Sequence, residues 1–250
     1  MRLLPFLFLY SVTLQAMPSL WDPWSIGGTT STSGLGALST NPALLSADHK
    51  MLIEASGRVE SQQFSGYQAG VLDPVMSEIA AGLLYRKIGP TQRVGLGLSE
   101  AWGSVLIGIE GDYLIWDDGI KKDNNKWGGL RWGFAFPLNQ QLIIGLSGSG
   151  YLTAVKRYSV GLGLPLAGYF NFFADATYVD PSYWAYTYGL KINAKDFLSL
   201  QGQYDTEEKR IQAGISLISS KIMLGYVLQF YHENQYYSHL LSIAYTGFFS

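Results

Sequence analysis

The sequence predicts an all-β fold: a closed antiparallel transmembrane β-barrel of fourteen strands, with twelve as the alternative count and an N-terminal segment acting as a plug. Three observations carry this expectation. The chain opens with an export-type leader. It lacks any apolar run long enough for a membrane helix. From residue 50 onward its hydrophobicity alternates with a period of two. Composition agrees, since charged residues are 14% of the chain against about 25% in an ordinary soluble domain. Aromatics match them at 14%, and there are 29 glycines in 250 residues. The hydrophobic fraction of 48% excludes disorder. The net charge of −2 argues against a nucleic-acid partner held by phosphate neutralisation. With no cysteine and only 3 histidines, disulfides, thiolate chemistry and a His-rich metal centre drop out. No cofactor is expected.

The leader runs from Arg2 through the apolar stretch Leu3–Val12 to Ala16. That layout is a signal peptide, residues 1–16, cleaved after Ala16. Ten apolar residues interrupted by Pro5 are too short to span roughly 30 Å of hydrocarbon. Export without a membrane helix leaves two architectures: a soluble sandwich of the envelope or an outer-membrane barrel.

The alternation favours the barrel. Five segments, 105–115, 130–138, 158–166, 184–192 and 222–230, show one face with 25 large apolar or aromatic residues in 26 positions. Trp132, Leu162, Tyr186 and Leu224 belong to it. On the interleaved face only Leu106, Leu114, Met223 and Val227 are large and apolar; Gly133, Ser159, Gly161, Gly163, Gly189 and Gly225 are typical. A sandwich would load that second face with Lys, Glu and Thr for bulk water. Small residues instead suit the crowded inside of a narrow barrel, and a greasy outer face suits lipid.

Nine weaker strands fill the gaps, near 50–58, 62–72, 77–87, 91–99, 140–150, 168–179, 197–205, 209–217 and 236–248. Fourteen strands of about ten residues and thirteen turns of about four need roughly 192 residues. The barrel region 50–250 supplies 201. An even count puts both ends of the barrel on the periplasmic side. Turns after odd strands, such as Asp117–Asn125, should then be external and longer, and those after even strands short.

Residues 17–49 do not alternate. Leu35–Leu45 reads as a short helix interrupted at Asn41-Pro42, because proline disfavours the α conformation in the residue before it. Asn41 is placed to cap a new turn that starts with Pro42. Leu35, Leu38, Leu44 and Leu45 with two tryptophans favour burial of this segment as a plug. The element Asn41-Pro42-Ala43-x-Leu45, followed at once by the first strand, resembles the Asn-Pro-Ala element of the FadL-type long-chain fatty-acid transporters and of the PorV-type barrels of bacterial secretion. That resemblance implies fourteen strands and a hatch lodged in the lumen. It also implies a hydrophobic small-molecule ligand to bind or transport, or else envelope or secretion proteins as partners of a structural barrel. The chain departs from the pattern in its Ser31–Gly36 stretch and its small outer loops.

With the greasy face outward, the lumen receives Glu54, Glu78, Arg86, Glu110, Asp112, Arg131, Asp175, Lys191, Gln201 and Gln203. Arg or Lys at mid-bilayer on the lipid face would cost about 2–4 kcal/mol. The mixed signs point to internal pairs before an ion path. No enzyme is expected. Ser238 and His239 are neighbours on a strand and point to opposite faces, so they form no nucleophile–base pair. Asp117, Asp118 and His232 read as solvated loop residues. The expected setting is the bacterial outer membrane, with its lipid as the surrounding partner.

Overall fold

The computed structural model describes residues 29–30, 35–47, 51–60, 62–73, 79–88, 91–116, 126–150, 156–166, 169–180, 183–195, 197–233 and 235–247. The leader 1–16, Glu78 and the Asp117–Asn125 connection lie outside the described residues. So does the rest of the segment 17–49 apart from Thr29–Thr30 and Leu35–Ala47.

Fourteen strands form one closed antiparallel barrel in which each strand pairs with its neighbours in sequence and β1 closes on β14. They are β1 Met51–Glu60, β2 Gln63–Asp73, β3 Ala80–Ile88, β4 Thr91–Trp102, β5 Val105–Trp116, β6 Lys126–Asn139, β7 Leu142–Ser149, β8 Lys156–Leu166, β9 Phe170–Asp180, β10 Tyr183–Lys195, β11 Leu198–Asp205, β12 Arg210–Ile218, β13 Ile222–Tyr231 and β14 Tyr236–Gly247. Each overlaps one of the fourteen segments read from the alternation. The 62–99 region holds three strands and 197–217 holds two, which settles fourteen over twelve. Closure leaves no free sheet edge, as a lipid-embedded sheet requires. Register slips occur at four bulges, one of them at Pro137 and Asn139. There the proline needs no ladder donor.

The greasy face is outside. Leu162 is 49% exposed, Leu224 50% and Tyr186 48%, while their chain neighbours Gly161, Met223 and Ala185 are buried. Met51 pairs with Gly247, so both ends of the barrel reach the same rim, here the near rim. Strands β5 and β6 end at the far rim on either side of residues 117–125, the longest connection by sequence, which lies outside the described residues. The wider rule of longer turns after odd strands does not hold, because the β1–β2, β3–β4 and β9–β10 connections there span two residues each. Two residues suffice to reverse a paired hairpin, so strand parity does not by itself lengthen a turn.

One consequence concerns the belt. In vesicle-embedded protein, Leu162→Arg is expected to destabilise the barrel by about 2–4 kcal/mol, whereas Leu162→Phe stays within about 0.5 kcal/mol. Equilibrium urea unfolding followed by tryptophan fluorescence measures both.

Candidate functional site

Thr29–Thr30 and Leu35–Ala47 pack on the inner face of the wall. The helix α1, Gly36–Thr40, lasts about one turn. The chain then extends at Asn41 (φ −144°, ψ 99°), as the following Pro42 demands. A 3₁₀ turn, Pro42–Ala47, follows. Its start is capped by Asn41, whose Oδ1 accepts the Ala43 amide at 3.2 Å, a side-chain oxygen satisfying an orphan donor. Leu35, Leu38 and Leu45 are fully buried, and Leu44 nearly so. They join one apolar cluster with Leu72, Leu84, Met223, Val227 and Leu240 of the wall.

The wall meets this segment with glycines. Gly82 and Gly97 face each other in register beneath Leu38 and Leu45. Gly108 and Gly133 are the next such pair, beneath Pro42 and Asn41. Gly145 and Gly161 form the third, beneath Thr29. Gly70 lies under Leu35. An added Cβ at Gly108 would overlap the Pro42 carbonyl, and one at Gly145 the Thr29 carbonyl. Both are backbone atoms that cannot swing aside. The inward glycines of β2 to β8 thus form a seat that admits a polypeptide backbone and no bulkier wall.

Hydrogen bonds fix the segment in that seat. Asn41 Nδ2 donates to the Thr29 carbonyl at 2.7 Å and to the Phe134 carbonyl of β6 at 3.0 Å. Ser99 Oγ donates to the Ala43 carbonyl at 2.8 Å. Arg131 Nη1 donates to the Leu38 carbonyl at 2.6 Å. Thr29 donates from its amide (3.1 Å) and its hydroxyl (2.6 Å) to the buried Asp175 carboxylate.

On the far-rim side of the segment lies a layer of charge. Glu110, with a fully buried carboxylate, receives Arg93 at 2.6 Å and Arg131 at 2.5 Å. Arg93 also pairs with Asp112 at 2.5 Å. Arg86 donates to Gln68 and to Ser39 of the segment, both at 3.2 Å. Charges this deep are tolerable because each is paired and hydrogen-bonded. Arg131 joins this layer to the segment's backbone. The structure therefore gathers Asn41, Pro42, Ala43, Leu45, Arg86, Glu110, Asp112, Arg131 and Asp175 around one contact. Glu54 on β1 and Lys191 on β10 are also buried and inward; Glu54 pairs in register with Gly70 at the β2 edge of the seat, and Lys191 lies two strands past β8. Beside Lys191 stand Gln201 and Gln203; both amide atoms of Gln201 are buried without a hydrogen-bond partner among the described residues.

Sequence reasoning missed Thr29, Ser39, Ser99 and Arg93. Arg93 was within reach, since it shares strand parity with Gly95, Gly97 and Ser99. It also missed a far-rim cluster on β12, β13, β14 and β1. There Arg58 and Arg210 both donate to the Tyr231 phenol, at 3.0 and 3.4 Å. Among the described residues no group of His, Cys, Asp or Glu is arranged to hold a metal ion.

The fold defined by these observations is the closed antiparallel barrel found in outer-membrane proteins. No family model matches the chain, and no curated protein matches it. Among solved structures it is similar to the Acinetobacter baumannii outer membrane protein Omp33, with TM-score 0.59 and 9% identity over 80% of this chain and 98% of that one. It is also similar to a mutant of the Rh. blastica porin, with TM-score 0.51 and 5% identity over 79% of this chain and 99% of the other. At such identities the likeness is one of fold.

The seat can be tested directly. Gly108→Val is expected to unseat the segment, which then appears as new protease cuts within residues 29–47 and a lower thermal midpoint. Gly129→Ala, where a Cβ meets nothing within 4 Å, changes neither. Limited proteolysis read by mass spectrometry, with a thermal melt, separates the two.

Proposed function

We propose that this protein is an outer-membrane β-barrel whose lumen is stopped by its own N-terminal segment, and that it serves as a structural or partner-binding barrel of the envelope. In this reading residues 1–16 are removed on export, residues 17–49 form the plug, and the near rim faces the periplasm. The observation that carries it is the backbone-to-wall seating of Asn41–Ala43 on Gly108 and Gly133. Such contact excludes water along a wide arc of the wall. Anchoring by Asn41, Ser99, Arg131 and Asp175 makes the closed state the resting one.

A diffusion pore needs a continuous water path, which this reading denies. Transport of a hydrophobic ligand, implied by the Asn-Pro-Ala resemblance, gains no support from the layer next to the plug. An acyl chain arriving from the far rim would meet Arg86, Arg93, Arg131, Glu110 and Asp112, and would leave some of those charges unpaired. Breaking one partner of a buried pair costs about 3–5 kcal/mol. The role left to the barrel is carried by its rims and outer wall, with envelope or secretion proteins as the partners to seek.

Single-channel recording in planar bilayers tests this reading. The wild-type protein is expected to be silent or nearly so, and Gly108→Val to conduct. Wild-type protein that conducts steadily, with the variant no different, would overturn the reading.

A further inference from the structure

The far rim carries a second constellation that the plugged-barrel reading does not use. Arg58 of β1 and Arg210 of β12 converge across the barrel wall on Tyr231 of β13. Their guanidinium carbons lie 6.0 and 5.7 Å from its ring centre. Arg58 is held further by Ser238, whose Oγ accepts from Nε at 3.1 Å. The phenol itself donates to Gln229 Oε1 at 3.2 Å, and Ser238 Oγ donates to the same oxygen at 3.2 Å. On its ring Tyr231 is stacked by Tyr236, with centroids 4.4 Å apart and planes 9° from parallel. Two like charges have thus been fixed on one rigid aromatic support.

The counterions are of a different kind. Arg58 pairs with Glu60, and Arg210 pairs with Glu208 at 2.9 Å. The arginine side chains are 14% and 11% exposed, the glutamates 28% and 49%. The cations are therefore the more shielded, preorganised half of each pair, and Glu208 is the exposed, replaceable carboxylate. Arg210 is also incompletely satisfied. Its Nε is buried with no hydrogen-bond partner among the described residues, and Glu208 meets it at Nη1. Glu208 is the solvent-exposed half of its pair, where screening weakens the attraction, whereas a guanidinium fork binds planar or tetrahedral oxyanions in two-point fashion.

We propose that Arg58, Tyr231 and Arg210 form a binding site for an oxyanion, a carboxylate or a phosphate, reached from the far rim by displacement of Glu208. The ligand's oxygens replace the Glu208 carboxylate on Arg210 Nη1. Ser238 and Gln229 orient the site without contributing charge. The site stands apart from the plug, so a solute bound here is held at the outer mouth and not passed through.

The test titrates the full-length mature protein in nanodiscs with inorganic phosphate and, separately, with acetate, at matched ionic strength against sodium chloride. Arginine Nε–H resonances in NMR report binding. Saturable shifts with phosphate, acetate or both, absent with chloride, support the site and identify which oxyanion it takes. Glu208→Gln is expected to tighten binding several-fold, since the competing carboxylate is gone, and Arg210→Gln to weaken it by about tenfold or more. Heat-modifiable migration on gels confirms that each variant remains a folded barrel. Shifts that do not saturate, or an affinity unchanged in Arg210→Gln, would overturn the proposal. Because the site lies away from the seat, Gly108→Val keeps the same affinity, and the conductance test of the plug stands or falls separately.

Discussion

A polypeptide backbone can lie flat against another only where side chains step aside. Everything else inside this barrel depends on that constraint. The wall strands must carry large apolar groups outward, so the inner face alone is free to vary. From β2 to β8 it is pared down to glycine at the level where Asn41–Ala43 and Thr29 rest. The stabilisation is of two kinds. Leu35, Leu38 and Leu45 leave water entirely, worth about 1.5–3 kcal/mol for each fully buried side chain. The backbone carbonyls that the contact buries find donors, Phe134 in Asn41 Nδ2, Ala43 in Ser99 Oγ and Leu38 in Arg131 Nη1, without which each would cost about 1–3 kcal/mol.

The inner face then divides by height and by side. Nearest the near rim is the apolar seat. Above it, on β3 to β6, the Arg86, Arg93, Arg131, Glu110 and Asp112 layer turns a potential cost into a clamp, because Arg131 spends one donor on Glu110 and another contact on the Leu38 carbonyl. On β11 to β14 the buried polar residues are glutamines, serines and one threonine. At the far rim the balance shifts again, with half-buried arginines and more exposed glutamates.

Much of this fold was legible because a strand's period-2 signal is local. Leu162 beside Gly161, and Leu224 beside Met223, declare their faces without reference to any other strand. The break at Asn41-Pro42 was legible for the same reason, as a restriction one residue imposes on the next. What resisted reading is what depends on register. Glu110 meets Arg131 because residues on β5 and β6 pair at that one step, and a slip of a single residue would turn either outward. The three glycine pairs are likewise facts of register; in sequence they are scattered small residues. The Arg58–Tyr231–Arg210 cluster joins positions up to 173 residues apart that meet only because β1 closes on β14. Turn lengths were misjudged because strand parity says which rim a turn occupies and nothing about how many residues it needs.

The seat is most directly tested by cross-linking, and a chain with no cysteine is suited to it. A Cβ placed at Gly163 would lie 3.0 Å from the Cβ of Thr30, about 0.5 Å inside the range a disulfide spans, a gap that a small shift of Thr30 opens. In the doubly substituted protein Thr30→Cys, Gly163→Cys, mild oxidation should join the two positions quantitatively and leave the barrel folded. Pairing Thr30→Cys with Leu162→Cys, one residue along β8 on the outer face, should give no bond. Failure of the first pair to close in a folded, membrane-inserted barrel, or equal closure of both, would contradict the seating of the N-terminal segment against the inner wall.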